Sequence, residues 1–201
     1  MNKVNSNAMI RTKDMTKIGM LSVVGFILMY FQLPLTFVAP PFMKLDISDL
    51  PVLVGAFTMG PVFGIMIAAL KNILALIFKG TMTAGIGELS NFIVSATFAF
   101  VSSYIYRKHK TYKWAILSLT VGVLFMTVLA MMSNYFVVFP LYGKVMPMDA
   151  IIAMGSAITS KITGLFTMMI YSVLPFNLIK GFTTSAMMML VYKKVSPLFK
   201  S

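Results

Sequence analysis

The sequence contains no cysteine and only one histidine, so two side chains that carry much of protein chemistry are scarce. Without cysteine the chain can form no disulfide framework, no thiolate metal site and no cysteine nucleophile. The single histidine, His109, lies between Lys108 and Lys110, and such a basic run is typical of a solvated turn. Neither residue type points to catalysis or to metal binding.

Carboxylates are also few, at five in 201 residues: Asp14, Asp46, Asp49, Glu88 and Asp149. Their spacing matches no paired acid and base, no metal-ligand cluster and no catalytic triad. We therefore predict no catalytic residue, no metal site and no cofactor, and we expect that the chain is not an enzyme.

Charge of either sign is scarce, since charged residues make up 11% of this chain but about a quarter of an ordinary soluble domain. The sequence is instead 59% hydrophobic, its mean hydropathy is +0.89, and its apolar runs are long enough to span a bilayer. The length favours a single domain. These features exclude a soluble domain and predict an all-α integral membrane protein.

Six apolar segments are predicted to span the membrane as one domain, residues 17–193, between cytoplasmic tails of residues 1–16 and 194–201. Long outer loops are expected between the first and second helices and between the fifth and sixth. Pro40 and Pro41 forbid a helix in the first loop, which stays apolar and is therefore expected to cover something. The predicted helices of this six-helix bundle are residues 17–34, 48–60, 61–78, 86–106, 114–139 and 174–192.

The distribution of basic residues explains a net charge of +12 that would otherwise suggest nucleic acid. With a cytoplasmic N-terminus, eleven of the seventeen lie on cytoplasmic segments, and four lie in outer loops: Lys44, Lys79, Lys144 and Lys161. This asymmetry satisfies the positive-inside rule with both termini cytoplasmic. A seventh span through residues 150–172 would reverse the C-terminus, so we predict a long outer loop with helical pieces there. We expect no nucleic-acid partner.

Polar side chains inside the predicted spans gather near the outer side, where such groups usually face a cavity or a partner. Asn177 and Lys180 lie three residues apart on one helix face, so an amide and an ammonium can point at one object. A structural hydrogen bond explains this pair equally well. Glu88 and Asn91 repeat the spacing, although the helix dipole alone would favour Glu88.

Asn134 and Tyr142 add two further polar groups to the outer side, where Tyr142 could also be an interface aromatic. The cytoplasmic half of the spans offers few polar groups beyond Lys71 and Asn72. This contrast predicts a pocket that opens outward and is lined by apolar and aromatic groups. Such a lining suits a flat, largely uncharged heteroaromatic molecule better than an ion.

Several motifs on these segments resemble the substrate-binding S component of energy-coupling factor (ECF) vitamin transporters, and the riboflavin-specific branch above all. The motifs are Lys-Leu-Asp-Ile-Ser-Asp-Leu-Pro at 44–51, Gly-Glu-Leu-Ser-Asn-Phe at 87–92, Asn-Tyr at 134, Pro-Leu-Tyr-Gly at 140–143 and Pro-Phe-Asn-Leu-Ile-Lys-Gly at 175–181. The resemblance covers nearly the whole chain. It implies a bacterial cell-membrane protein that captures riboflavin from outside with high affinity, through the first loop and the outer parts of helices 4 to 6.

The resemblance also implies partners: a transmembrane T component, two ATP-binding subunits and the surrounding membrane lipid. The chain has no GxxxxGK[ST] phosphate loop, so a partner must hydrolyse ATP. With the polar groups above, the ligand-binding residues are expected to be Met43, Lys44, Leu45, Asp46, Glu88, Asn91, Asn134, Tyr142, Gly143, Asn177 and Lys180.

Docking of the T component is expected on the first helix, where several family members carry an Ala-x-x-x-Ala pattern. This chain departs from that pattern, because its small residues Gly19, Ser22 and Gly25 are spaced by three. Two other functions stay open: an S component for another vitamin, and a stand-alone secondary transporter of a small heteroaromatic solute. An integral membrane enzyme is a third, for which catalytic groups are lacking.

Overall fold

The structure is a computed structural model that describes residues 12–81 and 83–199. Residues 1–11 of the predicted N-terminal tail lie outside the described residues. Met82 and the last two residues of the C-terminal tail lie outside them as well. The described part is helical except for connecting loops and two short strands, β1 (Leu33–Pro34) and β2 (Lys44–Leu45). The helices are α1 (Thr12–Leu28), α2 (Asp49–Met59), α3 (Pro61–Phe78), α4 (Ile86–Tyr106), α5 (Tyr112–Ser133), α6 (Phe139–Tyr142), α7 (Met148–Ser156), α8 (Leu165–Met168) and α9 (Leu174–Phe199).

Four helical segments of the described chain are long and apolar enough to cross a bilayer: Pro61–Phe78, Ile86–Tyr106, Tyr112–Tyr142 and Leu165–Tyr192. The last two are longer than single α-helices because π-helical turns, Asn134–Val138 and Met169–Val173, join α5 to α6 and α8 to α9. The chain is therefore a helical, multi-pass membrane protein, as its composition predicts.

Two prolines at the limits of predicted helices lie inside continuous helix. The predicted fifth helix ends at residue 139, just before Pro140, and the predicted last helix begins at residue 174, just before Pro175. Each proline instead follows a π-helical turn by two residues. A proline interrupts a helix because it lacks an N–H and crowds the preceding turn. A π-helical turn already shifts the hydrogen-bond pattern, so the helix continues past the proline. The last span accordingly begins at Leu165 rather than near residue 174.

The first helix also differs in position from the prediction, since α1 covers Thr12–Leu28 instead of residues 17–34. The chain leaves the helix early because Leu33 and Pro34 pair with Leu45 and Lys44 as an antiparallel hairpin. The hairpin encloses the proline-containing first loop. Ala39 in that loop is buried, with 1% of its surface exposed, so the loop is packed against the protein.

The bundle has two distinct ends. The hairpin end carries β1, β2, the α3–α4 turn and residues 134–164, and Phe42 there lies with its ring centroid 5.5 Å from that of Tyr142. At the basic end, the α4–α5 turn brings Arg107 against the α2–α3 corner at Gly60. The same turn contains Lys108, Lys110 and Lys113.

Small residues set the close packing between these ends. A Cβ added at Gly64 of α3 would lie 2.6 Å from the Cβ of Ala56 and 3.1 Å from that of Ala99, so α3 packs tightly on both α2 and α4. Small residues allow helix backbones to approach closely in membranes. The main apolar core is shared by α2, α3, α4, α5 and α9.

Candidate ligand-binding site

Asp49 is the first residue of α2, and only 1% of its surface is exposed. The helix has 11 residues, so at about 1.5 Å per residue it is far shorter than the roughly 30 Å hydrocarbon core. A helix of this length places its first turn inside the bundle. The carboxylate also lies at a helix N-terminus, where the helix dipole stabilises negative charge.

Two lysines from different helices share this carboxylate. Lys71 of α3 forms an ion pair with Oδ1 of Asp49, and Lys180 of α9 has its Nζ 3.2 Å from Oδ2. Ser95 of α4 donates a hydrogen bond to Oδ1, and Lys71 Nζ donates to Ser48 Oγ at 2.7 Å. A buried charge is tolerated only when it is paired and hydrogen-bonded, and the cluster meets both conditions for Asp49.

A chain of amides extends the cluster across α4 to α3. Lys180 Nζ donates to Asn91 Oδ1 at 2.7 Å, and Asn91 Nδ2 donates to Asn72 Oδ1 at 3.2 Å. Asn72 Nδ2 in turn donates to the carbonyl of Ala68 at 2.7 Å. The polar groups of α2, α3, α4 and α9 therefore form one connected network, which we call the Asp49 cluster: Ser48, Asp49, Lys71, Asn72, Asn91, Ser95 and Lys180.

This network corrects the placement of Lys71 and Asn72, which were expected to lie in the opposite half of the spans from Lys180. All three belong to the same cluster. The physical reason is the shortness of α2, which brings Asp49 deep enough to meet the middle of α3 and the first turns of α9.

Sequence reasoning missed Asp49 as a site residue because its position after Ser48 is typical of an ordinary helix start. One signal could have found it. Two lysines inside apolar spans need a carboxylate partner. Among the five acidic residues, Asp49 opens the short second helix.

Asn134 and Asn177 both lie beside the π-helical turns at the hairpin end. Asn134 is the first residue of one turn, and its Nδ2 donates to the carbonyl of Ala130 at 2.7 Å. Asn177 follows the other turn, and its Nδ2 donates to the carbonyl of Val173 at 2.8 Å. Both side chains are buried. π-helical turns are frequent at functional sites, and here one of them begins with a buried amide and the other is followed by one.

The first loop supplies the four consecutive candidates from Met43 to Asp46. Met43 packs both on the apolar cluster around Phe139 and on the one around Phe176. Leu45 belongs to the second of these clusters. Asp46 is buried, and its Oδ1 accepts the backbone N–H of Ser48 at 2.9 Å, whereas Lys44 is exposed. The loop therefore connects the Asp49 cluster to the outer aromatic residues.

Glu88, Tyr142 and Gly143 lie further out. Glu88 Oε2 accepts a hydrogen bond from Thr81 Oγ1 at 3.0 Å. Tyr142 and Thr83 line a small cavity of about 50 Å³ together with Phe42, Val145, Met146 and Ile151. Gly143 is exposed. A larger open groove of about 300 Å³ lies between α3 and α4, and its lining includes Asn72 and Glu88.

Charged side chains at the hairpin end affect the pKa of Lys79. Partial burial and then the ammonium of Lys44 lower the pKa of Lys79, while the carboxylates of Asp46 and Glu88 oppose this shift. Lys79 Nζ donates to the carbonyl of Met29 at 2.9 Å, which ties the end of α3 to the end of α1.

The small residues of α1 serve contacts within the chain at two of their three positions. Ser22 is 1% exposed, and Gly25 is buried against Ser48 and Lys71, with an added Cβ 3.3 Å from the carbonyl of Ser48. Gly25 therefore lies against the Asp49 cluster, whereas Ser22 Oγ donates to the carbonyl of Ile18 within α1 at 2.7 Å. Gly19 has open space around it among the residues that the structure describes.

The fold and the site define a multi-pass helical membrane protein with a buried polar site toward one end of its bundle. Within residues 12–81 and 83–199, no group of three or more His, Cys, Asp or Glu side chains is arranged to hold a metal ion. The family model described as "ECF transporter, substrate-specific component" matches residues 13–192. The chain belongs to this family.

Individual relatives agree with the family assignment. The chain is 32% identical to the riboflavin transporter RibU of Staphylococcus aureus (strain TCH60) over 94% of each chain. It is 29% identical to the riboflavin transporter FmnP of Bacillus subtilis (strain 168), over 93% of this chain and 94% of that one. These relatives are bacterial transporters, which confirms the prediction that the chain is a transport protein of the bacterial membrane and not an enzyme.

A solved structure supports the same assignment at the level of the fold. It is described as "Structure and mechanism of the S component of a bacterial ECF transporter", and it superposes with a TM-score of 0.73 at 33% sequence identity. The match covers 94% of this chain and 98% of the other.

Proposed function

We propose that this chain is the high-affinity riboflavin-binding subunit of an ECF-type transporter and takes the vitamin from the outer side of the membrane. The observation that carries the proposal is that the helix segments with the polar candidates pack against the first loop. Phe139, five residues after Asn134, has its ring against that of Phe42 in the loop. Phe176, next to Asn177, packs with Ala39 and Leu45 of the loop, and Lys180 lies three residues beyond Asn177 on the same helix.

The chemistry of these side chains suits a flavin. The isoalloxazine ring is flat and apolar on both faces, with carbonyl oxygens and ring nitrogens along one edge. Aromatic and aliphatic side chains such as Phe42 and Phe176 can cover its faces, while amides and an ammonium bind its polar edge. The names of the curated relatives, which are riboflavin transporters, support the same ligand.

The proposed orientation has six spans, both termini cytoplasmic and the hairpin end outside. It is supported by the basic α4–α5 turn, since Arg107, Lys108, Lys110 and Lys113 lie at the opposite end from the candidate site. α1, and the short α2 together with the first loop that leads into it, would complete the six passes beside the four long segments.

Energy for uptake would come from other subunits. The sequence carries no phosphate-binding loop, so we assign ATP hydrolysis to two ATP-binding subunits and their attachment to a transmembrane T component. Membership of the family of substrate-specific components supports this division of labour.

A titration of the purified protein with several vitamins tests the proposal. Riboflavin fluorescence is expected to fall as the vitamin binds, with saturation at one ligand per chain and a rise in melting temperature. Thiamin and biotin at the same concentrations are expected to give no thermal shift. Saturating riboflavin without quenching, together with a shift by another vitamin, would assign the chain to that vitamin instead.

A further inference from the structure

Lys71 lies outside the set of residues expected to contact the ligand, yet it shares a carboxylate with one that is in it. We propose that Lys71 is a positioning residue for ligand binding: by pairing with Asp49 it keeps Lys180 available to the ligand. This inference rests on the proposed function, since it concerns the same site.

The two carboxylate oxygens of Asp49 differ in the hydrogen bonds that they accept. Oδ1 receives Lys71 and Ser95, whereas Oδ2 accepts no hydrogen bond from any residue that the structure describes. Oδ2 faces only the ion-pair contact with Lys180, at 3.2 Å. Lys71 is thus the main counter-ion of Asp49, and Lys180 is held more loosely.

Two ammonium groups share the carboxylate of Asp49 at ion-pair distance. The buried carboxylate of Asp46, nearby in the chain, accepts a hydrogen bond from the backbone N–H of Ser48. Lys180 has fewer contacts with Asp49 than Lys71 has, so it is the less completely paired ammonium group. A buried ammonium in this state favours an additional acceptor oxygen.

Lys180 has unused hydrogen-bond donors. An ammonium group has three N–H donors, and the hydrogen bond that Lys180 Nζ donates among the described residues goes to Asn91 Oδ1. A remaining donor is available for a carbonyl or ring acceptor of the ligand. Asn177 lies three residues earlier on the same face of α9, so an acceptor bound there would lie within reach of Lys180.

Removal of Lys71 would change the pairing of Asp49 without removing a side chain that is expected to contact the ligand. Asp49 would then have Lys180 as its sole counter-ion, and the closer pair would draw the ammonium away from the ligand. Lys71→Met is therefore expected to weaken riboflavin binding by about tenfold or more, which corresponds to the loss of one charged hydrogen bond.

The decisive variant removes both groups at once. In Asp49→Asn/Lys71→Met the net charge of the cluster is the same as in the wild type, and the carboxylate of Asp49 no longer holds Lys180. We expect this double variant to bind riboflavin about threefold or more tightly than Lys71→Met, because residues that contact one another have non-additive effects. Lys144→Met, at an exposed lysine of the α6–α7 loop, is the matched control and is expected to bind like the wild type.

Riboflavin dissociation constants of the four proteins, each checked for folding by its ligand-free melting temperature, decide the question. A double variant that binds as weakly as Lys71→Met, or more weakly, while folded would show that Lys71 only supports the structure. Equal binding by Lys71→Met and the wild type would overturn the inference as well. If Lys71→Met alone does not fold, the double variant still carries the test. Absence of riboflavin binding by the wild type would instead refute the proposed function.

Discussion

At the scale of single residues, Lys180 is the side chain that connects the amides of the candidate site to the buried carboxylate. Its Nζ contacts Asn91 and Asp49, and it lies on the same helix face as Asn177. The sequence alone singled out Lys180 and Asn177, because an ionisable group inside an apolar span is expensive and is kept for a reason. What the sequence could not show is which partner neutralises it, since Asp49 lies 131 positions away along the chain and resembles a helix cap.

Lys180→Met should weaken riboflavin binding strongly, and Asn134→Ala should weaken it less. A hydrogen bond from a charged donor contributes about 1.5–3 kcal/mol, or about 10- to 150-fold in the dissociation constant, whereas a neutral one contributes about 0.5–1.5 kcal/mol. Fluorescence titrations of the two variants against Lys144→Met measure the difference. Wild-type affinity in Lys180→Met would remove this residue from the site.

At the scale of elements, the sequence predicted that the apolar stretches are helical, but it did not predict where the helices end. Proline marked the expected limits at residues 140 and 175, and in both places a π-helical turn lets the helix continue. The hairpin of Leu33–Pro34 with Lys44–Leu45 has only two residues in each strand. Pairing between segments so short leaves no periodic pattern, so the early end of α1 could not be predicted.

The close helix contacts at Gly64 predict that adding a side chain at this position destabilises the protein. A Cβ at this position would lie 2.6 Å from the Cβ of Ala56 and 3.3 Å from its Cα, neither of which can move freely. Gly64→Ala is therefore expected to destabilise the protein by about 1–3 kcal/mol. Gly19→Ala, made where no described atom lies within 4 Å, should be neutral or stabilising by up to about 1 kcal/mol. Melting temperatures that fall equally in both variants would contradict the packing described for α3.

At the scale of the whole molecule, charge and site lie at opposite ends of one bundle. The basic α4–α5 turn marks one end, and the buried amides, the first loop and the aromatic residues occupy the other. The positions of the basic residues along the chain are enough to predict which end faces the cytoplasm, because the positive-inside rule depends only on them. The Asp49 cluster was not predictable in the same way, because it arises from the depth at which a short helix begins.

Transport by the isolated chain tests its place in a larger assembly. Proteoliposomes that contain only this protein should bind riboflavin but should not accumulate it against a gradient, with or without ATP inside. The physical reason is that the sequence lacks a nucleotide-binding loop to couple hydrolysis to movement. Accumulation driven by a sodium or proton gradient would identify a self-sufficient secondary transporter.

The most direct measurement of the central claim is a structure of the protein with riboflavin bound. We expect the ring system between the first loop and the beginning of α9, with polar atoms of Asn134, Asn177 and Lys180 at hydrogen-bonding distances of about 2.7–3.2 Å. The vitamin in the open groove between α3 and α4, out of reach of Lys180, would contradict the account.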